Sequence, residues 1–158
     1  MLENRLDRKV TVILATDVVG YSKHVEENES LTIKTYSARE VILLNLIEDF
    51  GGRVFNTGGD SVLAEFSSAV DAVECAAAFQ LRIAEINSLP ETECRLEFRI
   101  GVNMGDVVQK DKDLLGDGVN IAARLEAFAQ QSGVCISKSV YDLVAPKTNL
   151  VFNDLGLQ

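Results

Sequence analysis

Three things are scarce in this chain: cysteine, basic residues and uninterrupted apolar sequence. No apolar run approaches the roughly 18 residues that a membrane-spanning helix needs, and the start, Met1 to Val10, has charges where a secretory signal would carry its apolar core. No membrane association is expected, and a cytoplasmic location is. Cys75, Cys94 and Cys135 are odd in number and widely separated, which predicts buried or free thiols rather than disulfides or a zinc site. Lysine and arginine total 15 against 24 aspartates and glutamates, a formal net charge of −9. Nucleic acid backbones are bound through clustered cations, so no nucleic acid partner is expected. The same field repels a nucleotide triphosphate unless metal ions and a few local arginines reverse it inside one cleft.

What is present is ordinary for a globular protein: 158 residues, 47% hydrophobic and 25% charged. That length buries a core as one domain, residues 1–158. The β-branched run Val10 to Gly20, "VTVILATDVVG", predicts a strand in the middle of a sheet, with Asp17 near its C-terminal end. Tyr21 to Phe50 predicts a long helix broken near Asn28, with Tyr36, Leu43, Leu44, Ile47 and Phe50 at helical spacing. "GGRVFN" and "SVLAEF" flank a Gly-rich turn and predict a hairpin with Asp60 at its tip.

Ser67 and Ser68 can cap a helix with an apolar stripe of Val70, Val73, Ala77, Leu81 and Ala84. "CRLEFRIGVNMGDVVQK" predicts a strand that bends or turns into another at Met104-Gly105. A helix follows over about Val119 to Ala129, then short strands at "GVCIS" and "LVFND" separated by a small helix around Val140 to Val144. The order is that of an α+β fold with a ferredoxin-like βαββαβ core. In it the second hairpin strand lies beside the first strand, so Asp60 and Asp17 should converge at one edge.

Asp60 alone is a turn residue of a usual kind. Asp17 changes its meaning, because a carboxylate in an apolar strand is costly to bury unless paired or bound to a cation, and its own strand offers no lysine or arginine nearby. Two converging carboxylates suit a pair of divalent ions, and the turn at Gly20 can present N–H groups to phosphates. Asn120 and Arg124 are four apart on one helix face. The plain alternative for Arg124 is a solvated ion pair with Glu126 or another acidic neighbour.

"ILATDVVGYS", "GGRVFNTGGDSVLAEFSSAVDAVECA", "RIGVNMGDV" and "LLGDGVNIAARLEAFAQQSGVCIS" resemble, in this order, the catalytic domain of class III nucleotide cyclases, especially bacterial cytosolic adenylate cyclases. The resemblance implies conversion of ATP, less readily GTP, to a 3′,5′-cyclic nucleotide and pyrophosphate with two divalent cations, Mg²⁺ or Mn²⁺. It makes Asp17, Asp60 and the carbonyl of Val18 the metal ligands. Gly20, Tyr21 and Ser22 would hold the terminal phosphates, and Arg99 would contact a phosphate. Asp113 would accept from the adenine amino group, Asn120 orient the ribose and Arg124 stabilise the reacting α-phosphate. The family's sites form between two chains, which implies a homodimer.

Two departures stand out. Asn56 occupies the place of a base-selecting lysine four residues before the second metal aspartate. The chain stops at "FNDLGLQ", where relatives of this kind continue into a basic segment and a last strand, and such relatives are often fused to regulatory domains. The competing reading is a catalytically weak or inactive cyclase-like regulatory domain. A diguanylate cyclase shares Gly58-Gly59-Asp60, but Ser61-Val62 departs from its hairpin motif. RNA binding on a ferredoxin-like sheet fails on charge and on paired exposed aromatics.

Overall fold

The computed structural model describes residues 7–156; the charged start and the last two residues lie outside the described part. The chain runs β1 (Asp7–Val18), α1 (Tyr21–Glu27), α2 (Glu29–Asp49), β2 (Arg53–Gly58), β3 (Ser61–Phe66), α3 (Ala69–Asn87), β4 (Phe98–Lys110), β5 (Asp113–Leu115), α4 (Asp117–Phe128), β6 (Val134–Ile136) and α5 (Lys138–Val144). The sheet order is β2-β3-β1-β4-β5, with β6 parallel to β4. The first four strands are antiparallel neighbours in the order that a βαββαβ unit requires.

β1 is central and apolar because both its faces are covered. Val12, Leu14 and Val18 join the large core that α2, α3 and α5 close, with Tyr36, Ile47, Phe66, Phe79, Phe98 and Val140. Ile13 and Ala15 point to the other face, where α4 contributes Val119 and Ala122. Asp17 follows Ile13 and Ala15 in the alternation, so it stands on the α4 face.

The break at Asn28 is real. Asn28 is extended, at φ −162°, and its side-chain oxygen accepts from Leu31 N, which starts α2 as α1 ends. Ser68 caps α3 through Asp71 N. The buried face of α3, however, is Ala69, Ala72, Val73, Ala76, Phe79 and Ile83, and Leu81 is 63% exposed. Apart from the side bearing Asp71, Glu74, Arg82 and Glu85 this helix is broadly apolar, so its period left the face ambiguous, and the bulk of Phe79 and Ile83 decided it.

Two other expectations are corrected. β4 does not turn at Met104-Gly105 but runs unbroken for 13 residues, pairing with β1 along twelve registered positions. The turn comes later, at Asp111 with φ 57°, and leads into β5. Residues 150–154 form no strand; Phe152 instead packs edge-to-face on Tyr141, with ring centroids 5.3 Å apart.

The glycines around α4 allow it to lie directly on β4. A Cβ at Gly101 would collide with the backbone of Ala122 and Glu126, and one at Gly118 would meet Asp106 O at 2.7 Å. Buried Asn103 donates to Gly118 O at 3.0 Å and pins the start of the helix. Close approach here fixes where every residue of α4 points.

Candidate active site

The hairpin turn brings the two carboxylates together as expected. β3 pairs with β1 so that Thr16 faces Val62, and the two-residue loop Gly59-Asp60 turns with Gly59 at φ 57°. Val18 N donates to Asp60 Oδ2 at 3.0 Å, so Asp60 is tied to the end of β1 one residue after Asp17. The carbonyl of Val18 belongs to the same short stretch.

Asp17 is paired, and its partner is Arg99, its cross-strand neighbour in β4. Arg99 Nη2 donates to Asp17 Oδ2 at 3.3 Å and Nε to Oδ1 at 3.4 Å. Asp17 has no cation near it along its own strand, as the sequence shows, and the sheet supplies one from across it. Arg99 also donates to Ala127 O at 3.4 Å and lies 3.5 Å from Glu126 Oε2.

Glu126 was not singled out from the sequence except as an exposed partner for Arg124. It lies on the opposite face of α4, 9% exposed, and packs toward Asp17 and Arg99. Its Oε2 is buried without a hydrogen bond. Burial, then the neighbouring Asp17 carboxylate, pushes its pKa up to about 8, and Arg99 opposes them. The signal was available: Glu126 is four residues after Ala122, on the same small-residue face that approaches Gly101.

Gly20, left-handed at φ 61°, opens α1 immediately after β1. The first-turn amides at Tyr21 and Ser22 have no carbonyl four residues back within the helix, and they follow shortly after the end of β1 that carries Asp17. Tyr21 packs edge-to-face on Tyr36, with centroids 5.8 Å apart. The Tyr36 hydroxyl is buried without a hydrogen bond, and burial, Glu40 and Asp60 all raise its pKa.

The remaining candidates are elsewhere. Asp113 opens β5 and faces Lys110, at the far end of β4 from Arg99, a path of roughly 35 Å along the strand at about 3.3 Å per residue. Asn56 is exposed on β2, directly after an irregularity in the β2–β3 register between Val54 and Asn56. Arg53 links these two regions: its Nη1 donates to Lys112 O at 2.7 Å and its Nη2 to Glu65 Oε1 at 2.9 Å. Thus the strand bearing Asn56 is tied to the turn that leads into Asp113.

Asn120 and Arg124 lie on the outer face of α4, both exposed, with no side-chain partner among the described residues. Ile121 and Phe128, 38% and 46% exposed, flank them. The plain alternative for Arg124, an ion pair with Glu126 or another acidic neighbour, does not form among the described residues, and Glu126 points to a different side of the helix. One chain thus brings Asp17, Asp60, Arg99 and Glu126 together, while Asp113 lies at the far end of β4 and Asn120 and Arg124 stand on the outer face of α4; Asn56 shares the hairpin that carries Asp60.

The family model described as the adenylate and guanylate cyclase catalytic domain matches residues 3–156. The chain belongs to this family. A Rhizobium meliloti (strain 1021) protein named "Putative adenylate cyclase 3" is 46% identical over 158 residues, covering 99% of this chain and 27% of its own length. An adenylate cyclase of Streptomyces coelicolor is 30% identical over 135 residues, covering 85% of this chain and 34% of its own. The cyclase domain described here spans about a third or less of the length of these curated relatives.

Among solved structures, an adenylate/guanylate cyclase/hydrolase from Silicibacter pomeroyi superposes with a TM-score of 0.89 at 35% identity, covering 98% of this chain and 90% of the other. The adenylyl cyclase CyaB from P. aeruginosa has a TM-score of 0.78 at 22% identity, covering 90% and 84%, and shows the shared fold alone. The α+β architecture of this cyclase domain is that of the family.

Proposed function

We propose that this cyclase domain converts ATP to 3′,5′-cyclic AMP and pyrophosphate at sites shared between two copies of the chain. The observation that carries this reading is the separation just described. The carboxylates lie at one end of the sheet, while Asn120 and Arg124 stand unpartnered on an outward helix face. Isologous pairing of two copies would bring the outward face of one against the carboxylates of the other, twice. A fused regulatory domain in a longer protein belongs to the same proposal.

Asp17, Asp60 and the Val18 carbonyl are hard oxygen donors, as Mg²⁺ or Mn²⁺ prefers. Among the described residues no three His, Cys, Asp or Glu side chains gather into a cage. This fits ions that take one or two carboxylates from protein and further oxygens from phosphates. Such ions would lower the pKa of the ribose 3′-hydroxyl and neutralise charge at the α-phosphate and leaving group.

The chain's own residues do the rest by placement. The Val18 N–H holds Asp60 against β1. The amides at Gly20, Tyr21 and Ser22 hold the terminal phosphates, with Arg99 within reach of them when it leaves Asp17. From the partner copy, Asn120 orients the ribose, Arg124 meets charge on the α-phosphate, and Asp113 accepts from the adenine amino group. Asn56, beside the bulge in β2, offers the base a donor and an acceptor without charge, so ATP is favoured over GTP through Asp113.

The uncharged Asn56 is also the feature that favours a second reading, a cyclase-like domain that binds nucleotide and regulates without turning over. Incubating the purified chain with ATP or GTP and Mn²⁺ or Mg²⁺, and identifying the product, separates the two. Cyclic AMP above an Asp17→Ala control supports catalysis. Triphosphate binding with no cyclic product from either nucleotide supports the regulatory reading.

A further inference from the structure

The helix that carries Asn120 and Arg124 rests on a smooth seat. Gly101 and Gly105 of β4 lie against Ala122 and Gly118 of α4, and Cβ atoms at Gly101 or Gly118 would strike backbone across the contact. Surfaces this bare offer few ridges to interlock, so contact sets the height of α4 above the sheet more firmly than its rotation. The start of α4 has no side-chain cap either; Gly116 stands at the N-cap with φ 110°.

Asn103 supplies the missing direction. It is 3% exposed, faces Ile13 across the sheet, and donates from Nδ2 to Gly118 O at 3.0 Å. Gly105 leaves room for that amide: a Cβ there would stand 3.0 Å from Asn103 Nδ2 and 3.2 Å from Gly118 Cα. An amide buried on a face shared with Ile13, Val107, Val119 and Ala122 is costly unless it is bonded. Helix formation does not require this bond, because a first-turn carbonyl already accepts the N–H four residues on, here that of Ala122. Among the described residues the other sheet side chain bonded to the main chain of α4 is Arg99, at the opposite end, to Ala127 O at 3.4 Å. Asn103 therefore serves the placement of α4 and not its formation.

We propose that Asn103 is a positioning residue for the reaction: its bond to Gly118 sets the rotation of α4, and with it the aim of Asn120 and Arg124 at the nucleotide held by the partner copy. This rests on the shared-site reading. Asn120 follows Gly118 by two residues, about 200° around the helix, and Arg124 by six, about 240°, so both stand away from the anchored residue on the outer face. At a side-chain radius of about 5–6 Å, a rotation of about 10° moves either tip by about 1 Å. A misplacement of that size can cost about 10²-fold in rate. Asp17, Asp60 and the amides after Gly20 lie on β1, its neighbouring hairpin and α1, so substrate binding through them does not depend on this rotation.

The test compares wild type with Asn103→Asp, which keeps the shape of the side chain and loses the donor. Asn103→Ala stands in if circular-dichroism melting shows the aspartate variant unfolded. Initial rates with Mn²⁺-ATP should give a kcat lowered about 10- to 100-fold and a KM within about twofold of wild type, as for an interaction made only in the transition state. Mixing then separates aim from stability. With the Asp17→Ala chain, the Asn103 variant should regain about a quarter of wild-type activity, because one site of each heterodimer takes its α4 from an intact copy. With the Arg124→Ala chain it should gain nothing over the separate chains. A merely destabilised chain would respond to both partners alike. Wild-type kcat in the folded variant, a raised KM at unchanged kcat, or gains that do not depend on the partner would overturn the proposal. A wild type that makes no cyclic nucleotide, or Asp17→Ala and Arg124→Ala chains that do not rescue each other, would instead overturn the shared-site reading, and the proposal with it.

Discussion

The Asp60 carboxylate accepts the main-chain N–H of Val18 at 3.0 Å, and this bond fastens the hairpin tip to the strand that carries Asp17. A backbone donor fixes Asp60 whatever the side chains around it do. Its second oxygen stays available to a cation.

Asp60→Ala removes the tether and, on the proposed reading, an oxygen that would hold a metal ion. Metal stabilisation of transition-state charge amounts to several kcal/mol, so cyclic AMP formation should fall by about 10²-fold or more. Thermal stability should change by only a few degrees, since the residue is at a turn. Initial rates with Mn²⁺-ATP and a melting curve measure the two effects; a large melting shift with near-normal rates would contradict the assignment.

Asn56→Lys places a long cation where the resemblance to class III cyclases implies a base-selecting lysine. Asn56 is exposed on β2, so the longer side chain meets no packed neighbour. Turnover with ATP should rise, and the preference for ATP over GTP should sharpen. Rates with both nucleotides before and after the substitution check this, and unchanged rates with unchanged preference would show that Asn56 is not the weak point.

Gly101→Ala tests the seat of α4. The new Cβ would meet helix backbone at Ala122 and Glu126, which cannot rotate away. Overpacking of this kind costs about 3 kcal/mol, a melting shift of roughly 6–12 °C for a domain of this size. Gly58→Ala, where nothing lies within 4 Å, should shift stability by about 0.5 kcal/mol or less. Equal effects at the two positions would disprove the close packing.

Glu65 supplies the acid sensitivity of the sheet. Burial raises its pKa, but bonds from Lys9 at 2.7 Å, Arg53 at 2.9 Å and Thr11 at 2.8 Å outweigh burial and leave it below the ordinary 4.5. A depressed carboxylate stabilises the fold above its unfolded pKa, and that stability is lost as pH falls through the folded value. Urea unfolding of wild type should therefore weaken below about pH 4.5. Glu65→Gln should cost about 1 kcal/mol at pH 7 and flatten that part of the acid slope. A parallel slope in the variant would place the sensitivity elsewhere.

Much of this architecture was readable from local pattern. The β-branched run of β1, the capped break at Asn28 and the Gly-rich hairpin turn each carry their own signal, and the strand order followed from the element order. The approach of Asp60 to Asp17 could therefore be deduced. What escaped were relations made across elements. Arg99 pairs with Asp17 from a strand more than eighty residues later, and nothing near Asp17 in the sequence announces it. Glu126 looked like a surface residue beside Arg124 until the seat of α4 on Gly101 turned it inward. The buried face of α3 was misjudged because alanine recurs on several of its sides, and only packing against Phe98 and its neighbours selects one. The expected strand at 150–154 had a short apolar run, Leu150 to Phe152, but gains no ladder.

The central claim is that the carboxylates and the outward face of α4 serve one site from two chains. Asp17→Ala and Arg124→Ala chains should each be nearly inactive alone. Mixed in equal amounts and allowed to exchange, they should form heterodimers in which one of the two sites is intact, regaining about a quarter of wild-type cyclic AMP formation by random pairing of a two-fold dimer. No activity above the separate chains, with exchange confirmed by mass, would contradict the shared site.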